Sequence, residues 1–377
     1  MLQRAPRVSP PAQSPSRRDP TPPAALTAAR ALALAPIVLT LLPLWRTGRG
    51  WVRIWDFPRV QIAVLGVIAQ GVMLRAPARQ PLDTALTAGL AASLAYQLAK
   101  ILPFTPFYPR QVPTARRSRD RNIRFLMLNV LQTNGRADLV LRAIREADAD
   151  VICLVETDAW WDERLAVLRR TYRWSNRCAL GNMYGMLLYS RLPMTEVETR
   201  FRVRPDIPSM RAIVRLRSGD EIAVYAVHPR PPLPDTPSYG RDAELVLTGD
   251  EVRRETRPAV VIGDMNDVAW SYTTKLFQRI GKMLDPRVGR GLFSTFHSGH
   301  WVARYPLDHV FHTREFSVAE IRRLGYTGSD HFPILVELAL TPSRVGETPE
   351  PKMTRNDREE ASEILAEREK GKDQEYP

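Results

Sequence analysis

Cysteine is scarce: Cys153 and Cys178 are the only two in 377 residues. Two thiols cannot build a disulfide framework or a thiolate-rich zinc centre. Cys153 lies inside an apolar run and reads as a small buried hydrophobe. Three common catalytic signatures are also missing. There is no helical His-Glu-x-x-His pair, no Gly-rich phosphate loop and no Gly-x-Ser-x-Gly elbow. Their absence removes zincin, P-loop and serine-hydrolase chemistry. Charge of one sign is lacking from residue 122 onward, where 37 basic residues face 37 acidic ones. That half has no field of the kind that draws a protein onto long polyanions. The formal net charge of +13 comes entirely from residues 1–121, with 17 basic and 4 acidic residues. It reads as charge flanking a membrane-embedded segment.

Uninterrupted hydrophobic runs fall short as well. Apolar stretches occur at 24–45, 60–74 and 84–99, each with an uncharged core below the roughly 20 residues that span a bilayer. Arg30, Arg59, Arg75 and Lys100 stand where snorkelling would lengthen them. Trp45, Trp51, Trp55, Phe57, Phe104, Phe107 and Tyr108 cluster at the ends, as interfacial aromatics do. Three transmembrane helices within 24–108 are therefore expected. The rival readings are a small soluble helical domain and a cleaved signal peptide. The second has no clear small-x-small site and is followed by two more apolar stretches. Residues 1–23, rich in Pro, Arg and Ser, read as a disordered tail, and 109–121 as an Arg-rich linker. Residues 342–377 are charged and read as a disordered or frayed helical tail.

Between linker and tail the pattern turns to alternating strands and helices. Strands are expected at 123–130, 151–155, 185–189, 212–216, 222–227, 259–262, 310–311 and 334–338. Ser218-Gly219-Asp220 suits a hairpin, and helices are expected at 137–146 and 241–255. This pattern supports a mixed α/β domain over 122–341.

Polar residues stand at the ends of these strands. Glu156 closes Val151-Ile152-Cys153-Leu154-Val155, placing a hard oxygen donor at a sheet edge, as a cation such as Mg²⁺ requires. Asn129 ends the first strand; alone it would read as a turn residue. His228 follows Ile222-Ala223-Val224-Tyr225-Ala226-Val227, where an imidazole can donate to a phosphate oxygen or protonate a leaving group. In Gly263-Asp264-Met265-Asn266-Asp267, Asp264 and Asn266 are two apart and share a side, while Asp267 faces away. Asp308 precedes Val310-Phe311, and Gly328-Ser329-Asp330-His331-Phe332-Pro333 precedes the final strand. All six histidines fall between 228 and 331, but their spacings match no zinc motif. His309 is expected to face away from Asp308 and to be structural. His297, His300 and His312 carry no assignment.

In this order the motifs resemble the endonuclease/exonuclease/phosphatase superfamily, over residues 122–340. The resemblance implies a four-layer α/β sandwich of two mixed sheets flanked by helices, here preceded by the transmembrane segment. It implies Glu156 as principal metal ligand with Asn129 and Asp330 beside it, and Mg²⁺ or Mn²⁺ as the ion. It implies catalytic roles for His228, Asp264, Asn266, Asp308 and His331, with Asp308 holding His331. The residue before the metal Glu is usually Gln and is Val155 here. At His228 the sequence is similar to the deoxyribonuclease, sphingomyelinase and inositol-phosphatase branches, whereas abasic-site endonucleases carry a Tyr motif there.

The expected function is a membrane-anchored, metal-dependent phosphoester hydrolase acting on a lipid or small phosphoester. The alternatives are a nuclease acting on nucleic acid and an inactive phosphate-binding module. Basic residues around the spans slightly favour a cytoplasmic enzyme domain. Resemblance to membrane-tethered bacterial members favours the outer face of the inner membrane, and the second is preferred.

Overall fold

The computed structural model describes residues 23–75, 80–115, 120–235 and 237–371. The tail through residue 22, Arg79, Arg116, Arg117 and Arg119 lie outside the described residues. The first helix, α1 (Pro23–Leu41), leads through α2 (Gly50–Arg53) into α3 (Arg59–Arg75) and α4 (Pro81–Ile101). Small residues let these helices approach: Ala29, Ala33 and Ala69 pack with Met73 and Leu90. Arg30 pairs with Asp83 at one end of the bundle, at 2.7 Å. Towards the other end Gln97 donates to Thr40 Oγ1 at 2.8 Å, and Arg59 donates to Gln97 at 3.3 Å.

Two stretches, Ala24–Leu44 and Pro81–Phe104, are long and apolar enough to cross a membrane. The stretch expected at 60–74 reaches that standard only when Gly50–Asp56 and Arg59–Arg75, bent by 73°, are taken together.

The chain then forms β1 (Asn122–Asn129), α5 (Ala137–Ala147), β2 (Val151–Val155), α6 (Ala159–Arg164), β3 (Trp174–Cys178) and β4 (Met186–Ser190). Next come β5 (Met194–Arg200), β6 (Ser209–Arg215), β7 (Glu221–Val227), α7 (Tyr239–Arg254), β8 (Ala259–Asp264) and α8 (Tyr272–Gly281). β9 (Asp308–His312), β10 (Phe316–Arg323), β11 (Ile334–Leu340) and α9 (Arg355–Gly371) complete it. One sheet runs β10-β11-β1-β2-β4-β3 and the other β5-β6-β7-β8-β9. β1 pairs in parallel with β2 and β7 with β8, while the remaining pairs are antiparallel.

Side chains alternate faces along a strand, and that period builds the layers. Ile123, Phe125 and Met127 of β1 meet Val260 and Ile262 of β8 in the core between the sheets. Leu126 and Leu128 instead face Val140 and Ile144 of α5. Val261 faces outward with Leu245 of α7 and Phe277 of α8. The result is a sandwich of two mixed sheets with helices outside, as expected. Ile262 is fully buried, so an Ala there would cost about 2–5 kcal/mol through lost burial and a residual cavity.

One expectation needs correction. The segment after 342 contains α9, a 17-residue helix. It docks because Ala361, Ile364 and Leu365 cover Val246, Leu276 and Ile280, and because Arg279 forks onto Asp357 at 2.7 and 2.9 Å. The helical segment also contacts the sandwich directly. Trp270 donates from Nε1 to the Asp56 carbonyl at 2.7 Å and meets the Phe104 ring edge-on at 5.9 Å. Arg53 donates to Thr273 Oγ1 at 2.6 Å.

Candidate active site

Parallel pairing brings the carboxyl ends of β1 and β2, and of β7 and β8, to one edge of each sheet. The antiparallel partners β11 and β9 deliver their starts to the same edge: Asp264 sits opposite Asp308 in the β8–β9 register. Asn129, Glu156, His228, Asp264, Asp308 and His331 therefore converge from six strand ends. Gly263 makes the approach possible, since a Cβ there would lie 1.8 Å from the Val227 carbonyl oxygen. Two site residues hold left-handed backbone, Glu156 at φ 61° and Asn266 at φ 49°. Such conformations cost energy and collect where function fixes a side chain.

Asn129 bridges two carboxylates. Its amide nitrogen donates to Glu156 Oε1 at 2.7 Å and to Asp264 Oδ2 at 3.1 Å. Its own oxygen is held by the Leu131 N–H at 3.0 Å, which fixes the amide's orientation. The Gln132 N–H reaches the other Glu156 oxygen at 3.3 Å. Burial pushes the carboxyls of both Glu156 and Asp264 above their ordinary values. The hydrogen-bond donors on Glu156 are both uncharged.

His331 lies between two carboxylates, with Nδ1 at 2.8 Å from Asp308 and Nε2 at 3.5 Å from Asp264. Burial opposes its charge, yet Asp308 and Asp264 outweigh it and push the imidazole up to about 10. The two carboxylates therefore favour its charged form. His228 is the opposite case: burial pushes it down to about 4, so it is neutral. Its Nε2 stands 3.9 Å from Asp264, its Nδ1 has no partner among the described residues, and Tyr184 packs on the ring at 5.4 Å. One oxygen of Asp308 is likewise buried without a partner.

The remaining residues fall less evenly. Asn266 donates from its amide to the Pro229 carbonyl at 2.9 Å, and its N–H caps Asp264 Oδ1 at 2.9 Å. Asp330 is half-buried, with a carboxylate oxygen 3.4 Å from Ser329 Oγ, and lies outside the Asp264–Asp308–His331 group. Asp267 faces away and holds the residue that caps α8, accepting from Ser271 Oγ at 2.5 Å. His309 and His312 are buried and bond to carbonyls, with structural roles.

Sequence reasoning missed Ser329, which donates to the Asn129 carbonyl at 2.7 Å and accepts from the His331 N–H at 3.0 Å. It also missed Gln132, Tyr184 and Phe296, whose ring packs 4.9 Å from that of His331. Only Ser329, inside the Gly-Ser-Asp-His motif, carried a readable signal.

The ligating atoms of Asp264, Asp308 and His331 lie within 4.8 Å of one another. His331 there turns both nitrogens to carboxylates, Nδ1 at hydrogen-bond distance from Asp308, an arrangement that favours its charged form over ligation. The Glu156 side suits a hard cation better: its carboxyl, raised by burial, presents oxygens that lack any charged donor, and Asn129 orients them through its amide N–H. These residues fit a divalent metal.

The profile of the Endonuclease/Exonuclease/phosphatase family matches residues 122–331. The chain belongs to this family. Members are generally hydrolases acting on phosphoesters and are typically divalent-metal dependent. Among solved structures, the Beutenbergia cavernae family protein is 16% identical, with 59% of this chain and 72% of that one covered and a TM-score of 0.47. The Bacteroides vulgatus family protein is 18% identical, covering 58% and 99%, with a TM-score of 0.47. D. rerio TDP2 complexed with single strand DNA product is 15% identical, covering 58% and 99%, with a TM-score of 0.48. No curated protein matches the chain.

Proposed function

We propose that the protein is a membrane-anchored, divalent-metal-dependent phosphoester hydrolase acting on a lipid or small phosphoester, its catalytic domain on the outer face of the inner membrane. The observation that carries the chemistry is the Asp308–His331–Asp264 chain facing the Asn129-bridged carboxylate of Glu156. Glu156 and Asn129, with Asp330 as third member, would hold Mg²⁺ or Mn²⁺. When bound, such an ion supplies positive charge to phosphoryl oxygens and acidifies a water. Asp264 accepts the proton of the attacking water. His331, charged and fixed by Asp308, sets its positive end against the charge that develops on the phosphoryl group. Neutral His228 and the Asn266 amide hold phosphoryl oxygens.

Two arginine groups bear on the nuclease alternative. Arg200, Arg202, Arg204 and Arg211 pair with Glu198, Glu244, Asp206 and Glu255. Arg287 is buried on Asp285, and Arg290 donates to the Val112 carbonyl. Neither group forms an open basic track, which supports the small or lipid ester.

The test is turnover of bis(p-nitrophenyl) phosphate by full-length protein. Chelation is expected to abolish it, with Mg²⁺ or Mn²⁺ restoring it, and Glu156→Gln is expected to weaken the metal's half-saturation. Unchanged turnover after chelation sinks this reading. Duplex DNA cut with a steep fall in salt, about 0.9 log unit per phosphate contact, would promote the nuclease.

A further inference from the structure

Residues 297–304 form a loop whose tip is openly apolar: Trp301 is 82% exposed and Val302 54%. A fully exposed Trp is unusual in a loop facing only water, and its amphipathic ring suits the headgroup layer. The loop is tied inward to the active site. Phe296, at its base, packs against the His331 ring at 4.9 Å. Ser298 donates from N to the Asp330 carbonyl at 2.7 Å and from Oγ to the Ser329 carbonyl at 2.6 Å.

It is tied outward to the helical segment. The side-chain amide of Gln61, near the start of α3, donates to the Val302 carbonyl. Tyr305 meets Phe57 edge-on, centroids 5.7 Å apart. The start of α3 and the end of α4 share one end of the bundle, as the Arg59–Gln97 hydrogen bond requires. At that end Val60, Leu102 and Phe107 are also exposed, Phe107 by 91%. The Gln61–Val302 hydrogen bond brings the loop tip to the α3 end of this apolar belt.

We propose that the 297–304 loop seats in the headgroup layer of the bilayer that the helices enter, and that it feeds the site a phosphoester carried on a lipid. The inference rests on the membrane-anchored reading above. One short loop separates the belt from His331, so a headgroup at the depth of Trp301 meets the catalytic edge from the membrane side. Trp301 acts on the surface carrying the substrate, and Phe296 passes the loop's position to His331.

The test uses full-length protein with Cys178→Ser, reconstituted in phosphatidylcholine vesicles. Trp301→Cys and Leu98→Cys are each labelled with an environment-sensitive fluorophore and challenged with nitroxide-bearing lipids. Both labels are expected to be quenched. Quenching at 98 without quenching at 301 overturns the loop proposal and leaves the anchor standing; no quenching at 98 overturns the anchor itself. The second measurement compares turnover of a phospholipid in vesicles with that of bis(p-nitrophenyl) phosphate. Trp301→Ala is expected to lower the ratio of the two about tenfold, equivalent to roughly 1.4 kcal/mol. An unchanged ratio, whatever the absolute rates, shows that the loop does not select lipid-borne substrate.

Discussion

Two buried clusters of carboxylates and histidine stand side by side at the end of β8 and β9, and they are built to opposite ends. Around Asp267 and His309 every strong group is matched. Asp267 accepts from Ser271, from Thr274 Oγ1 at 3.2 Å and from the Val268 N–H at 3.0 Å. Arg287 forks onto Asp285 at 2.9 Å twice and donates to His309 Nδ1 at 2.5 Å. That leaves His309 Nε2 to carry its proton to the Asp267 carbonyl, at 2.8 Å. Around Asp264 and His331 the matching is incomplete. One Asp308 oxygen and His228 Nδ1 have no partner among the described residues. Residue type does not separate the two clusters; unspent hydrogen-bonding capacity does. Buried polar groups are otherwise nearly always satisfied.

The sharpest way to break the comparison is to exchange consequences. Asp264→Ala and His331→Ala are expected to lower phosphodiester turnover by about 10²–10⁴, as for loss of a positioned acid–base group. The thermal midpoint of Asp264→Ala should stay near that of the parent, since the change also removes a buried like charge beside Asp308. A fall in stability as large as that of an Asp267→Ala protein would erase the distinction. Next in size, Arg287→Ala leaves Asp285 buried and unpaired and is expected to cost about 3–5 kcal/mol in denaturant unfolding. Ser271 caps α8, accepting from the Thr274 N–H at 3.0 Å; Ser271→Ala is expected to cost about 1 kcal/mol.

The smallest effect belongs to α9, outside both clusters. Arg279 and the Thr354 donors outweigh burial and hold the Asp357 carboxyl at about 2, below its ordinary 3.8. A depressed carboxyl stabilises fully above its unfolded value and loses that contribution as pH falls through the folded one. The gap in thermal midpoint between the parent and Asp357→Asn should therefore hold above about pH 5 and close only below about pH 2. A gap that persists in acid would mean that Asp357 acts through packing.

Much of the sandwich was legible because its central strands are continuous apolar runs. β1, β2, β7 and β8 were readable for that reason. The edge strands β3, β5 and β10 were not, since each is half-exposed and carries polar residues such as Glu196, Glu198 and Arg322 without a clean period. α9 was unreadable for a related reason: a few apolar residues do its docking, in a sequence dominated by Glu and Arg. At the site, residues that end strands were legible, because strand direction fixes where they emerge. Ser329, Gln132, Tyr184 and Phe296 arrive from loops, whose paths only the assembled sheets determine.

Trp270 has a consequence for how such a protein can change over generations. The residue lies three positions past Asp267, and its ring is gripped by the Asp56 carbonyl and Phe104 of the helical segment. A segment of interchangeable helices could be swapped by recombination for any other apolar sequence. Here a swap would also strip the cover from Trp270 and the Arg53 contact from Thr273. The helices and the motif loop are thus expected to be inherited as one unit, and a recombinant that replaces residues 23–108 alone should be recovered only with compensating changes at 270 and 273.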